Sequence, residues 1–228
     1  MICRILVVVC LASACASPSP RAPRPAWANE ASTAVSCDLW LARTDANSAS
    51  KSWRLRAARR GFICLEVAQK DPGPALTQAL SLNAAAPHTL ALVERYLAGE
   101  ASPERVARLE AHMGVSGTFD AAVYLGSAIG SSPVKARPLL KKAAAKDPNG
   151  QRGRRAMLAL AKSSENDGER IAWLRQALQP HRSVLASFGH AEFGGLSAAA
   201  QQLIKLCQGK GDAACVAWAK ARYEELER

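Results

Sequence analysis

Serine and lysine residues one helical turn apart occur twice in the chain, and such pairs can carry out nucleophilic chemistry. Ser48 precedes Lys51, and Ser132 precedes Lys135. A lysine amine at this spacing can accept the proton of the serine hydroxyl, which then attacks a carbonyl carbon. Enzymes with this S-x-x-K motif also carry S-D-N and K-T-G, and the sequence contains neither. Ser132 is better explained as the cap of a helix beginning at Pro133, so we predict no catalytic site.

Histidines and glycines supply no further catalytic, metal or nucleotide site. The chain has four histidines: His88, His112, His181 and His190. No two of them have the i, i+4 spacing that is typical of zinc ligands on a helix. His190 and Glu192 form H-x-E, but the P-C-x-x-C of zinc deaminases is absent. The run G-K-G-D-A-A at Gly209 follows no predicted strand, so it is a weak nucleotide signal. We therefore predict no cofactor and no metal.

Length, composition and charge favour a helical domain. The chain has 228 residues, 49% of them hydrophobic and only 5% aromatic, and alanine dominates many stretches. Alanine favours helices, whereas strands prefer β-branched and aromatic residues. The net charge of +11 and a pI near 9.7 exclude an acidic disordered tail. The composition also excludes a multi-span membrane protein and a collagen-like chain.

The first residues have the three parts of a secretory signal peptide. Arg4 provides the charged region, residues 5–11 form a short apolar run, and small residues follow at positions 12–14. Cleavage after Ala14 or Ala16 would release a soluble periplasmic protein. The spacing therefore predicts a signal peptide over residues 1–14.

The sequence L-A-S-A-C that ends at Cys15 resembles the lipobox of bacterial lipoproteins. The resemblance implies that Cys15 is lipid-modified, with palmitate among its acyl chains, and becomes the new N-terminus. Ala16 then favours the outer membrane, facing the periplasm. Residues 15–35 include a proline-rich stretch, which predicts an extended tether. The folded domain is predicted over residues 36–228.

Four cysteines lie in the predicted domain: Cys37, Cys64, Cys207 and Cys215. An even number in an exported chain predicts disulfides, and four cysteines allow three connectivities. The pairs nearest in sequence, Cys37–Cys64 and Cys207–Cys215, are favoured. A metal site is the alternative, but it lacks C-x-x-C and a neighbouring histidine.

Apolar residues recur at helical spacing, and the pattern itself repeats along the chain. Ser102 and Pro103 are predicted to begin a helix that ends at Gly114. Leu140 lies 34 residues before Leu174, which lies 30 residues before Ile204. A period near 34 is typical of stacked helix–turn–helix units.

The segment from Ala121 to Ala144 resembles a tetratricopeptide-type repeat of the Sel-like branch. The matching positions are Ala121, Leu125, Gly126, Gly130, Ala136, Leu140, Ala143 and Ala144. The resemblance implies a right-handed α-solenoid of antiparallel helix pairs, with two disulfides holding helix pairs together. Gly126 would allow two helices to approach closely. A long single-domain helical bundle is the alternative.

Basic residues concentrate in two places. Arg54, Arg56, Arg59 and Arg60 form one cluster. The larger one is a candidate partner-binding patch: Lys135, Arg137, Lys141, Lys142, Arg152, Arg154 and Arg155. Such a patch fits an acidic protein surface, an anionic lipid or a wall polymer. Nucleic acid is not expected, because no aromatic residues are interleaved to stack bases.

These patterns predict a lipid-anchored solenoid that binds a protein partner on its concave face. Exposed side chains of the first helix of each pair would provide specificity, with Tyr124 and Trp173 as candidates, although Trp173 fits the core better. The expected role is a scaffold or adaptor in envelope assembly or secretion. An immunity protein that neutralises a toxic periplasmic enzyme is the alternative. An enzyme would require activity that is lost on changing Ser132 or His190.

Overall fold

The computed structural model describes residues 24–30, 36–47, 49–98, 101–180 and 190–227. These residues form a 3-10 turn, Ala26–Asn29, and eleven α-helices, and no strand occurs among them. The helices are α1 (Cys37–Thr44), α2 (Lys51–Val67), α3 (Gly73–Asn83), α4 (Pro87–Leu97), α5 (Pro103–Glu110), α6 (Gly117–Ala128), α7 (Pro133–Lys146), α8 (Gln151–Ser163), α9 (Asp167–Ala177), α10 (His190–Gly209) and α11 (Ala213–Glu227). The predicted all-α class is confirmed. The predicted signal peptide and Cys15 lie outside the described residues.

Helices α2, α4, α6 and α8 form an inner row. Within this row α2 contacts α4, α4 contacts α6, and α6 contacts α8. The outer helices α3, α7 and α9 each pack against the helices before and after them, and α5 packs on α4. Packing between successive helices is compatible with a helical-repeat fold.

Helix α6 of the inner row is far more buried than the outer helix α7. Nine of the twelve residues of α6 are buried, whereas only three of the fourteen in α7 are. Helix α6 is the first helix of the predicted repeat unit, and only Gly117 within it is exposed. Neighbouring helices therefore cover most of α6, and the prediction that such helices present the binding side chains depends there on partly exposed residues such as Tyr124. Most of the exposed side chains near α6 belong to the outer helices α5 and α7.

Local capping explains where α5 begins and ends. The Ser102 hydroxyl accepts a hydrogen bond from the Arg105 N–H at 3.3 Å, and Pro103 is the first helical residue. Both features agree with the sequence prediction. The helix ends at Glu110, earlier than predicted, because Gly114 with its φ of 82° belongs to the turn that leads into α6.

Both favoured disulfides are present in the structure. The Cys37–Cys64 bridge joins α1 to α2, and the Cys207–Cys215 bridge joins α10 to α11. The Cα atoms of the paired cysteines lie 5.5 and 5.8 Å apart, respectively. Asp212 caps α11 by accepting a hydrogen bond from the Cys215 N–H at 2.9 Å. Each bridge therefore connects two consecutive helices. Cys207–Cys215 spans the turn between α10 and α11, whereas Cys37–Cys64 joins the start of α1 to the last turn of α2, away from the turn between them.

Part of the predicted tether, residues 15–35, packs against the helices. Trp27 lies edge-on to Trp40 of α1, with ring centroids 5.9 Å apart. Arg60 of α2 donates hydrogen bonds to the carbonyl oxygens of Trp27 and of the next residue, at 3.1 and 2.9 Å. Residues 24–30, which belong to the predicted tether, therefore pack on α1 and α2.

Gly126 lies where α6 crosses α4. A Cβ atom at this position would lie 2.8 Å from both the Cα and the carbonyl oxygen of Glu94. Both atoms belong to the backbone of α4, so no side-chain rotation can relieve the contact. The close helix approach predicted for Gly126 is confirmed.

We expect Gly126→Ala to destabilise the protein, although alanine normally favours helices. Overpacking costs about 1–3 kcal/mol, which exceeds the gain of about 1 kcal/mol from replacing glycine inside a helix. Gly195 of α10 is the matched control, because a Cβ there meets no atom within 4 Å. Gly195→Ala should instead raise the free energy of unfolding. Urea unfolding followed by circular dichroism measures both, and a gain at Gly126 would contradict the close crossing.

Candidate functional site

The seven residues of the predicted basic patch occupy different environments, and some are internal. Arg152 Nε and Arg155 Nη1 of α8 each lie 2.6 Å from a carboxylate oxygen of Glu94 on α4. Glu94 and Arg152 are only 6% and 7% exposed. This ion cluster joins α4 to α8 beside α6, so Arg152 has a structural contact and does not contribute to an exposed surface.

Arg154 is also buried inside the domain. Its guanidinium donates hydrogen bonds to the carbonyl oxygens of Ala177 and Gln179, both at 2.7 Å. These carbonyl groups lie at the end of α9 and lack donors within the helix. Burial, and then the charge of Arg222, lower the pKa of Arg154. The exposed basic surface is therefore smaller than the predicted patch.

The exposed positive charge of the patch lies mainly on α7. Three lysines are exposed there: Lys135, Lys141 and Lys142. Arg137 is half-buried and pairs with Glu169 of α9. Hydrogen bonds from Arg137 and from the Trp173 indole lower the pKa of Glu169. Trp173 also packs against two core clusters, so its main role is in packing.

A groove of about 520 Å³ lies beside these lysines. It is formed by the outer helices α5 and α7 and by one face of α6 between them. Apolar residues form much of its surface: Val106, Met113, Val123 and Leu139. Polar residues share the lining: Glu110, Tyr124, Ser127, Ser131 and Lys135. The groove therefore combines an apolar surface with one lysine from α7, Lys135, and one carboxylate from α5, Glu110.

Tyr124 is the aromatic residue of this groove. The Lys142 ammonium lies 5.5 Å from the centroid of its ring, at cation–π distance. The Ser131 hydroxyl donates a hydrogen bond to the Ser127 carbonyl at 2.8 Å, which is a helix-end contact. The groove can therefore bind an apolar side chain whose neighbours carry negative charge.

Asp120 joins the turn after α5 to the end of α7. It is 2% exposed, accepts a hydrogen bond from the Gly114 N–H at 2.8 Å, and lies 2.9 Å from the Lys146 ammonium. Burial by itself would raise the pKa of Asp120. The hydrogen bonds from Gly114 and Lys146 lower it by more than burial raises it, so the net shift is downward. The ionised carboxylate thus stabilises the position of α7 relative to α6.

The contribution of Asp120 to stability is expected to disappear in acid. Because its pKa is lower in the folded protein, the contribution is fully present above the pKa of an unfolded aspartate, about 4, and is lost as the pH falls through the folded value. Asp120→Asn should therefore flatten the acid side of the stability profile. Unfolding midpoints in urea between pH 2 and 7 measure this, with exposed Asp38→Asn as control. Parallel profiles for wild type and Asp120→Asn would contradict it.

A second cleft, of about 500 Å³, lies at the ends of α2 and α4. Its charges pair with one another: Asp71 lies 2.9 Å from Arg108, and Glu66 lies 2.6 Å from Arg95. Burial raises the pKa of Asp71, but hydrogen bonds from the Gly73 N–H and Arg108 bring it below its usual value. These two partly exposed ion pairs therefore neutralise much of the charge at this cleft.

The two histidines whose side chains the structure describes, His88 and His112, lie apart from each other in the sequence and have different surroundings. His88 is exposed at the start of α4, and His112 packs against Phe119 with ring centroids 5.9 Å apart. His181 and the side chain of His190 lie outside the described part of the chain. Within the described ranges, no group of three or more His, Cys, Asp or Glu side chains is placed to hold a metal ion.

Glu94 is the structural residue that sequence analysis does not identify. It lies on the apolar side of α4 with Leu90, Val93 and Leu97, all of which are buried. A charge on a buried helix face requires a partner, and this pattern is the signal that could have identified it. The partner Arg155 is 61 residues away, so local spacing could not supply it.

Comparison with protein-family models, with curated proteins and with solved structures finds no match to this chain. Among the described helices, none has the length and apolar character needed to cross a membrane. The groove and the lysines beside it are therefore the observations that bear on function.

Proposed function

We propose that the chain is a lipid-anchored helical-repeat protein of the bacterial envelope that binds a protein partner in the groove between α5 and α7. Its role would be that of a scaffold or adaptor in envelope assembly or secretion. The groove carries this proposal, because an apolar centre with a polar, charged rim is the composition of protein-binding surfaces.

The arrangement of the helices supports the repeat part of the proposal. The inner row α2, α4, α6 and α8 is what a right-handed Sel-like or tetratricopeptide-type solenoid of antiparallel helix pairs would contain. The close crossing of α4 and α6 at Gly126 supports the same interpretation, because the repeat motif has a glycine at that position. Repeat folds of this kind present extended surfaces to partners.

The groove also defines the chemistry of the partner. The partly exposed Val106 and Leu139 offer surface for an apolar side chain, and Lys135 lies in the same lining. Lys141 and Lys142 extend the positive charge along α7. The partner segment would therefore carry an apolar anchor flanked by acidic residues. Electrostatic attraction of this kind adds mainly to specificity and association rate.

The anchor would be the lipid on Cys15, on the periplasmic side of the outer membrane. The L-A-S-A-C sequence supports this assignment, and Ala16 favours the outer membrane over the inner one. A soluble periplasmic protein is the alternative. Mass spectrometry of the mature N-terminus distinguishes the two, because only the anchored form carries acyl chains on Cys15.

Site-specific photo-crosslinking in intact cells tests the binding site. A photoreactive residue at Lys135, in the groove, is compared with one at Lys205, which is exposed on the distant helix α10. We expect crosslinks to a defined protein only from position 135. The charge reversal Lys135→Glu should weaken binding of that protein, and Lys205→Glu should leave it unchanged.

The identity of the crosslinked protein decides between the two roles. Components of an assembly or secretion system would support the scaffold, and a single stoichiometric secreted enzyme would support the immunity protein. Equal crosslinking from both positions, or none from position 135, would overturn the groove as the binding site.

A further inference from the structure

Three tryptophans cluster where the described N-terminal residues pack on α1 and α2. The Trp27 ring lies edge-on to Trp40 and to Trp53, with centroid distances of 5.9 and 6.0 Å. Trp40 is completely buried, whereas Trp27 and Trp53 are half-buried. The two outer indoles therefore sit at the protein surface with Trp40 beneath Trp27.

Arginines lie against these rings. The Arg43 guanidinium is 4.5 Å from the Trp40 centroid and 5.4 Å from that of Trp27. Arg56 lies 4.6 Å from the Trp53 ring. Burial first, and then the neighbouring charge of Arg56, lower the pKa of Arg60. The carboxylate of Glu30, which lies 2.7 Å from Arg43, raises that pKa, and Arg43 itself lowers it. Positive charges are thus close enough here to repel one another, and an anionic surface would relieve that repulsion.

The surrounding charge has one dominant sign. The described residues from 24 to 60 contain seven cations and three carboxylates. Helical spacing places Trp53, Arg56 and Arg59 within one arc of α2, and both of these arginines are exposed. We call the surface formed by Trp27, Trp53, Arg56 and Arg59 the Trp–Arg face.

The sequence brings this face close to the proposed anchor. Eight residues, 16–23, separate Cys15 from Arg24. A chain of this length reaches at most about 30 Å even when fully extended. The turn that contains Trp27 begins two residues after Arg24, so a lipid on Cys15 would hold the Trp–Arg face near the membrane surface.

We propose that the Trp–Arg face docks onto anionic lipid headgroups and so orients the domain on the membrane. This inference builds on the proposed anchor at Cys15. Tryptophan favours the membrane interface, because its largely apolar ring can contact lipid while its N–H group stays hydrated. Basic residues near an anionic leaflet add attraction that extends over about a Debye length.

Tryptophan quenching by brominated lipids tests the docking. Mature protein isolated from the producing cells is mixed with vesicles of brominated phosphatidylcholine, with or without phosphatidylglycerol. We expect quenching to increase when phosphatidylglycerol is present. The double variant Arg56→Glu/Arg59→Glu should lose this increase, and Arg56→Gln/Arg59→Gln should lose part of it. Lys141→Glu/Lys142→Glu is the matched control, with the same change of charge on the exposed face of α7.

Failure of the docking and failure of the anchor give different results. Mass spectrometry of the same preparation shows whether Cys15 carries lipid. If it does not, co-sedimentation replaces quenching, and the Arg56→Glu/Arg59→Glu variant should bind phosphatidylglycerol vesicles at least about tenfold more weakly than wild type. Docking is overturned if phosphatidylglycerol has no effect, or if the lysine variant loses the effect and the arginine variant keeps it.

Discussion

Replacing Glu94 by glutamine is expected to lower the free energy of unfolding by about 3–5 kcal/mol, because it leaves a buried cation without its counter-charge. The Glu94 carboxylate lies 2.6 Å from nitrogen atoms of both Arg152 and Arg155. The Arg152 side chain is 8% exposed, whereas that of Arg155 is 44% exposed. Arg155 can therefore turn toward solvent, and most of the loss should come from Arg152.

Urea unfolding with a matched control makes this prediction specific. Glu165→Gln removes the same charge from an exposed position, and its effect should stay within about 0.5 kcal/mol. The double variant Glu94→Gln/Arg152→Gln should lose less than the sum of the two single variants, because the two residues contact each other. A loss below about 1 kcal/mol for Glu94→Gln would mean that water already solvates the cluster.

Features with local causes could be predicted from the sequence. Ser102 and Pro103 mark the start of α5, because a capping hydroxyl and a fixed φ act within one turn. The disulfides follow from cysteines that lie near each other along the chain. Gly126 was found from a motif, and the structure gives the physical reason, since the α4 backbone occupies the space of its missing side chain.

The membership of the basic patch could not be predicted, because burial depends on distant residues. Arg152 and Arg154 follow the α7 lysines closely in sequence, yet they point to α4 and to the end of α9. A linear run of charge does not show which members have partners inside the fold. The groove could not be predicted from the sequence either, because it depends on how α5 and α7 are spaced over α6.

The structure of the N-terminal segment also depends on residues that are distant in the sequence. Its prolines favour extended structure, and the prediction of a tether over residues 15–35 rested on them. One aromatic residue changes the outcome for part of this segment, because Trp27 gains contact with Trp40 and with the guanidinium of Arg43. The composition of the whole segment does not show that a single tryptophan fixes part of it to the helices.

The two disulfides are expected to stabilise the protein by different amounts. The Cys37–Cys64 bridge links residues 27 apart in sequence, and the Cys207–Cys215 bridge links residues 8 apart. A cross-link restricts the unfolded chain more when it closes a longer loop. Chain entropy then gives about 3.5 kcal/mol for the first bridge and about 2.5 kcal/mol for the second.

Paired alanine variants measure this difference. Alanine is preferred to serine, because Cys64 and Cys207 are 9% and 0% exposed and a buried hydroxyl would add its own cost. We expect Cys37→Ala/Cys64→Ala to lower the free energy of unfolding by about 1 kcal/mol more than Cys207→Ala/Cys215→Ala. Each variant should keep its helical circular dichroism, because apolar packing of the helices does not require the bridge. An equal or reversed order would show that contacts in the folded state, rather than the entropy of the unfolded chain, determine what each bridge contributes.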